Sequence, residues 1–202
     1  MIAVVDYGVA NIGSMLNMLR KVGATAVAAS TAEAVHGADK IILPGVGAFD
    51  NGMAALHGLG LVDALRERAL HARVPFLGVC LGMQLLGDSS EEGSAAGLGL
   101  IAGRSLRLRP PVDSRLKVPH MGWNTVRATR ATPLLNGDDD ARFYFVHSYH
   151  LHCADPADVL GTSQYGETFT SMVQRGNITG TQFHPEKSHR YGMELLRQFA
   201  GA

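Results

Sequence analysis

In PFLGVCLGMQLL (75–86) a cysteine stands between glycines at minus and plus two, behind an apolar run and ahead of a helical stretch. This is the spacing of a nucleophile elbow with sulfur in place of oxygen. Small flanks allow a sharp turn that lifts the Cys80 side chain off a strand end. A helix N-terminus directly behind lowers a thiol pKa and favours negative charge on a bound carbonyl, and the N–H of Leu81 points at whatever the sulfur attacks. Taken alone, the stretch leaves a second reading open, a buried cysteine at a tight strand–helix junction.

A thiol nucleophile needs a base, and an imidazole base needs an acceptor on its other nitrogen to fix its tautomer. TQFHPEKS (181–188) offers both: His184 ends an apolar-flanked strand, Pro185 turns the chain, and Glu186 is then able to fold back to the ring. His-Pro-Glu alone is also a common solvated corner; joined to a cysteine elbow far upstream it reads as a base and its orienter. ILPGVGAFD (42–50) is a third strand end, where glycines bring backbone N–H groups of the Val46–Gly47 turn close to a ligand, as a second oxyanion donor requires. It is no dinucleotide fingerprint, because Asp50 takes the place of the third glycine, and no P-loop, because it lacks the closing G-K-[ST].

These motifs need a frame that gathers strand ends. Short β-branched runs alternate with helical patterns: IAVVDY (2–7), NIGSMLNMLRKVG, AVAAS (26–30), IILPG (41–45), LVDALRERALHA and FLGVC (76–80). That rhythm predicts βαβ units and a parallel sheet with helices on both faces, whose ligands collect where strands give way to helices. Gly23 is placed to end the first helix. From about 98 to 182 the pattern changes to LRLR, FYFVHSYHL and TSMVQ, with a Gly176–Asn177 turn before ITGTQF, so an antiparallel section appended to the parallel sheet is expected. DSSEEGSAAGLG (88–99) reads as loop, and Ser188 as the cap of a closing helix, HRYGMELLRQFA.

At 202 residues and 46% hydrophobic, the chain suits one domain, 1–202. Eighteen acidic and eighteen basic residues balance, so nothing calls for nucleic acid or an anionic membrane as partner. No run reaches the length of a membrane span, and MIAVVDYG has neither the charged head nor the cleavage site of a leader, so a cytoplasmic location is expected. Cys80 and Cys153 do not make a disulfide scaffold and are expected as free thiols. HSYHLHC (147–153) resembles a metal site in composition only: in one strand His150 and His152 share a face and His147 and Cys153 take the other. Neither a metal nor a cofactor is expected. Asn177-Ile178-Thr179 matches a glycosylation acceptor by chance, and Arg104, Arg107 and Arg109 mark a solvated strand face or a partner surface. Trp123 is either core or a partner-facing anchor.

Together GVCLGMQLL, HPEKS and PGVGAFD resemble the class I, triad-type glutamine amidotransferases, and the likeness runs over essentially the whole chain. YGVANIGS (7–14), SEEG (90–93), VPHMGWN (118–124) and FYFVHSYH (143–150) are similar, more narrowly, to glutaminase subunits of imidazole glycerol phosphate synthase, of histidine biosynthesis. The resemblance implies a flavodoxin-like α/β fold and a Cys80–His184–Glu186 triad acting on L-glutamine. Leu81 and the Val46–Gly47 turn would hold the oxyanion; Gln84, Glu92 and the backbone around His147 and Ser148 would hold the amino-acid end. It also implies a cyclase subunit as partner, receiving ammonia across a face that includes Trp123, Asn124, Lys187 and Asn11. Many other class I enzymes carry P-G-G where this chain has Pro44-Gly45-Val46-Gly47. A β-branched residue resists backbone conformations that glycine takes freely, which leaves open whether the hole is ready-made. A cysteine peptidase on the same fold and a silent binding module are the rival readings; neither accounts for Gln84, Glu92 and PHMGWN beside an intact triad.

Overall fold

The computed structural model describes residues 1–135 and 141–201. Strands β1 (Ile2–Val5), β2 (Ala26–Ala29), β3 (Lys40–Gly45) and β4 (Phe76–Cys80) alternate with helices α1 (Ile12–Lys21), α2 (Ala32–His36), α3 (Phe49–Gly58) and α4 (Leu61–Leu70), and α5 (Leu81–Leu85) follows β4 without a break. Then come β5 (Ser89–Ser90), β6 (Gly103–Arg107), β7 (His120–Thr125), β8 (Arg127–Ala128), β9 (Arg142–His147), β10 (Tyr149–Cys153), β11 (Val159–Tyr165), β12 (Glu167–Arg175), β13 (Ile178–Thr181) and the closing helix α6 (His189–Gly201).

The main sheet is eight-stranded, in the order β2-β1-β3-β4-β13-β12-β11-β8. The first part is parallel: β1 pairs with β2 and β3, β3 with β4, and β4 with β13. That is the flavodoxin-like order. β12, β11 and β8 extend it antiparallel, and two small sheets, β10-β6-β5 and β7-β9, lie beside it. Residues of β1, β3 and β4 go alternately to two apolar clusters: Ala3, Val5, Ile41, Leu43 and Phe76 to one, Ile2, Val4, Ile42, Leu77 and Val79 to the other. Burial on both faces explains why these strands read as unbroken apolar runs. Each fully buried large side chain contributes about 1.5–3 kcal/mol of apolar transfer, so the ends of β3 and β4 stand on a frame buried on both faces. Among the described residues no helix is long and apolar enough to cross a membrane.

Several expectations change. The Gly176–Asn177 hairpin forms, and its second strand, β13, pairs antiparallel to β12 on one side and parallel to β4 on the other, so it joins the antiparallel section to the parallel sheet. Helix α2 was not signalled, being five residues long, too short to show a period; Thr31 caps it by accepting from Ala34 N. Within the expected loop, Ser89–Ser90 pair with β6. HSYHLHC is not one strand: the chain breaks at Ser148, and His147 and Cys153 fall in different sheets, so no shared face relates them. Ser188 precedes α6 and its carbonyl accepts from Gly192 N, but its hydroxyl is engaged elsewhere, as described below.

Candidate active site

The ends of β3 and β4 lie side by side, Gly45 paired with Cys80, and β13 enters on the far side with Thr181 opposite Val79. The sharp turn is present at Cys80, which has φ 56° and ψ −110°, a left-handed backbone rarely tolerated by a side-chain-bearing residue. The close approach that allows it is at Gly82, where a methyl group would overlap the Leu43 carbonyl of the neighbouring strand. Cys80 is only 5% exposed yet lines a cleft. Leu81 is the first residue of α5, so its N–H has no partner within the helix.

Past β13 the chain runs Gln182, Phe183, His184. Phe183 is fully buried and stacks on Phe143 with ring centroids 3.9 Å apart, while Gln182 and His184, alternating with it, are turned toward the Cys80 side. His184 is 2% exposed and its Nδ1 lies 2.8 Å from Glu186 Oε1, across the Pro185 turn. Its backbone is fixed twice: its N–H donates to Tyr144 O at 2.9 Å, and the Ser188 hydroxyl donates to its carbonyl at 2.6 Å while accepting from Tyr144 N at 3.0 Å. Ser188 thus clamps the histidine instead of capping α6 with its side chain. His184 Nε2 is buried without a hydrogen-bond partner among the described residues. Burial by itself lowers the His184 pKa, but negative charge on the Cys80 sulfur and then the Glu186 carboxylate outweigh it and push it up to about 10. The arrangement favours the protonated imidazole.

A cleft of about 540 Å³, within the roughly 300–1,000 Å³ of small-molecule sites, is lined by Cys80, Leu81, His184, Val46, Gly47, Gln84, Glu92, His147 and Ser148, with Ala48, Pro119, Val146 and Tyr149 completing the wall. The structure therefore brings the candidate nucleophile, base, oxyanion and substrate residues into one cleft, with Glu186 behind His184. Gln84 is buried and its Nε2 donates to Tyr149 O at 2.8 Å. Glu92 accepts from Phe49 N at 2.8 Å, supplying the cap that Ala48 does not give α3 and holding a carboxylate at the cleft wall. Gly47 has φ +100°, as the turn requires. The Val46 N–H, however, donates to Val9 O at 2.8 Å and is not presented to the cleft.

The four residues expected at a partner face do not line the cleft. Trp123 is 41% exposed, which rules out the core reading; its indole lies parallel to the His189 ring at 5.5 Å. Lys187 is exposed on the turn after Glu186, against which α1 packs. Asn11 caps α1 by accepting from Ser14 N, and the Asn124 amide donates inward to Gln164 O at 2.8 Å. Cys153 is a free, buried thiol whose pKa burial pushes up to about 12.

Three contributors escaped the motifs. Tyr7, buried, donates to Pro44 O at 2.8 Å and supports the Pro44–Gly47 turn; burial, then charge on Cys80, raises its pKa. Gln182 Nε2 lies 3.8 Å from Cys80 Sγ. His120 opens β7 and contacts His147. Gln182 carried a signal, since it stands two residues before His184 on the same side of an extended chain; Tyr7 and His120 did not.

The class I glutamine amidotransferase family model matches residues 3–201. The chain is 52% identical over 200 residues to imidazole glycerol phosphate synthase subunit HisH 2 of Pseudomonas aeruginosa, covering 98% of each. It is 46% identical over 200 residues to the subunit of the same name from Methanococcus maripaludis, again covering 98% of each. Among solved structures, a crystal structure of a glutamine amidotransferase superposes with a TM-score of 0.72 at 19% identity over 100% of both chains. PurLQS from Thermotoga maritima superposes with a TM-score of 0.74 at 18% identity, covering 99% of this chain and 97% of that one. At such identities the structural likeness speaks for the fold.

Proposed function

Because this chain belongs to the class I glutamine amidotransferase family, we propose that it hydrolyses L-glutamine through a Cys80–His184–Glu186 triad, as the glutaminase subunit of an imidazole glycerol phosphate synthase. The ammonia passes to a cyclase subunit for histidine biosynthesis, in line with the names of the full-length relatives. The observation that carries the triad is the meeting, in one cleft, of a cysteine held at a left-handed elbow and a histidine oriented by a carboxylate 2.8 Å away.

The Cys80 thiolate attacks the side-chain amide carbon of glutamine, and the carbonyl π electrons move to oxygen. The resulting oxyanion is held by the Leu81 N–H at the start of α5 and by an N–H of the Val46–Gly47 turn once that turn presents one. The His184 imidazolium gives its proton to the departing nitrogen, the C–N bond breaks, and ammonia leaves a thioester on Cys80. Neutral His184 then takes a proton from water as the water oxygen attacks the thioester, and collapse of the second tetrahedral intermediate releases glutamate and restores the thiolate. Glu186 keeps Nδ1 protonated throughout, so that Nε2 does the proton transfer. Glu92 suits the α-ammonium group, and the backbone around His147 and Ser148 the α-carboxylate. Protonated ammonia is no nucleophile, so a docked cyclase and an enclosed path are required.

Glutamate release in the presence of the cyclase tests the assignment. Cys80→Ala is expected to lose activity by several orders of magnitude, while Cys153→Ala keeps most of it, and a glutamine-analogue alkylator should label Cys80 alone. Labelling of Cys153 with Cys80 spared would overturn the nucleophile; hydrolysis of peptides in place of glutamine would overturn the substrate.

A further inference from the structure

Beside the triad, polar side chains link the cleft to β7 by a continuous file of hydrogen bonds. Asn124 Nδ2 donates to Gln164 O at 2.8 Å and reaches His120 Nε2 at 3.3 Å. His120 Nδ1 lies 3.0 Å from His147 Nε2, and His147 Nδ1 lies 2.9 Å from Tyr149 O. The same carbonyl accepts from Gln84 Nε2 at 2.8 Å, and Gln84 Nε2 also donates to Gln182 Oε1 at 3.2 Å. Gln182 Nε2 ends the file at Cys80 Sγ, 3.8 Å away.

The direction of this file follows from what each atom is able to do. A carbonyl only accepts, so His147 Nδ1 carries the proton. A neutral imidazole has one donor and one acceptor, so His147 Nε2 accepts and His120 Nδ1 donates to it. His120 Nε2 is then an acceptor, and it faces an amide nitrogen, which only donates. Burial keeps both rings neutral, pushing His120 down to about 4 and His147 down to about 3. Each Nδ2 or Nε2 amide with two partners has two hydrogens to give. His120 is held between the Tyr165 and Phe145 rings, with centroids 4.0 and 4.9 Å away.

We infer that His120 is a positioning residue for the glutamine cleft: its donation to His147 Nε2 holds His147 as the neutral Nδ1–H tautomer and so fixes the Tyr149 carbonyl to which Gln84 is tethered. The inference rests on the glutaminase reading for what the cleft binds. Without that donor His147 Nε2 is left buried with no partner, the ring is held by the Tyr149 oxygen alone, and the His147–Tyr149 segment of the cleft wall is anchored at one end instead of two.

The experiment uses the full chain. In ¹⁵N-histidine spectra of the wild type, the His120 and His147 rings, assigned by their loss in His120→Phe and His147→Phe, are expected in the neutral Nδ1–H form. An Nε2–H form of His147 would overturn the inference whatever the protein's activity. With the cyclase added, His120→Phe should raise KM for glutamine roughly tenfold, the scale of one buried hydrogen bond lost, with kcat changed far less. His120→Asn, which puts an amide nitrogen where Nδ1 stood, should recover most of the loss. An unchanged KM in folded His120→Phe, or equal damage from His120→Asn and His120→Phe at matched thermal midpoints, would also overturn it. Absence of glutamine hydrolysis in the wild type would instead remove the proposed function and leave the tautomer result standing.

Discussion

The backbone N–H of Val46 donates to the carbonyl of Val9 across 2.8 Å, so one of the donors expected at the oxyanion is engaged away from Cys80. Gly47, at φ +100°, gives the turn a residue able to absorb a peptide rotation, whereas branched Val46 resists one. The isolated chain should therefore release glutamate slowly, and adding the cyclase with its nucleotide ligand should raise turnover on the order of a hundredfold or more, the worth of one oxyanion contact. Val46→Gly should raise the basal rate of the isolated chain. Full activity in the isolated chain, unchanged at every cyclase concentration, would refute this gating.

Glu186 lies against His184 Nδ1 at 2.8 Å, and Glu186→Gln should lower kcat by less than Cys80→Ala does, with little change in KM. The histidine also gives a sign to the pH dependence of stability. Its folded pKa, about 10, lies above the unfolded value of roughly 6.5, so its stabilisation is fully present below about pH 6.5 and is lost as pH rises toward 10. The stability gap between wild type and Glu186→Gln in urea titrations should accordingly narrow on going from pH 6.5 to pH 10. A gap that widens over that range would contradict the ion pair.

The proposed triad could be read from the sequence because the residues it needs are concentrated in contiguous motifs: Gly78 and Gly82 around Cys80, and Pro185 between His184 and Glu186. The parallel strands were legible because burial on both faces leaves apolar runs such as IILPG and FLGVC. The pairing of β13 was not, since a hairpin signal says which strand comes next and not which strand lies on the other side. His120 and His147 become partners only through the register of β7 on β9, where they are directly paired, and nothing local to either residue encodes that register. The Val46–Val9 bond joins two loops, and loop-to-loop backbone contacts leave no side-chain signature.

Gly82 faces the Leu43 carbonyl so closely that a methyl group has no room. Gly82→Ala must push either β3 or the elbow away, and overpacking at a well-filled site costs about 1–3 kcal/mol. Thermal unfolding should show that loss. Because the elbow carries Cys80 and β3 leads into the Val46–Gly47 turn beside it, either displacement disturbs the surroundings of the thiol, and its alkylation rate should change even in the fraction that remains folded. A variant with wild-type midpoint and wild-type alkylation rate would show that the elbow does not depend on this approach.

Trp123 and Met121 alternate along β7, exposed by 41% and 62%, on a strand whose only sheet partner among the described residues is β9. Large apolar side chains left outward on such a strand mark a docking surface more readily than a solvated one. The indole is also held in place, parallel to His189 at 5.5 Å and edge-on to Tyr144 at 6.2 Å, so little side-chain freedom remains to be lost on association. A fixed aromatic at the centre of an interface is the usual form of a binding hot spot. Trp123→Ala should weaken association with the cyclase by about 2 kcal/mol or more, roughly thirtyfold in Kd, when followed by titration calorimetry. The thermal midpoint of the isolated chain should move little, because the side chain is half exposed and outside both apolar clusters. Met121→Ala should act in the same direction more weakly, since a flexible thioether has more freedom to lose on docking than a stacked indole. Unchanged affinity in Trp123→Ala would place the cyclase on another face and leave the exposed strand without a partner.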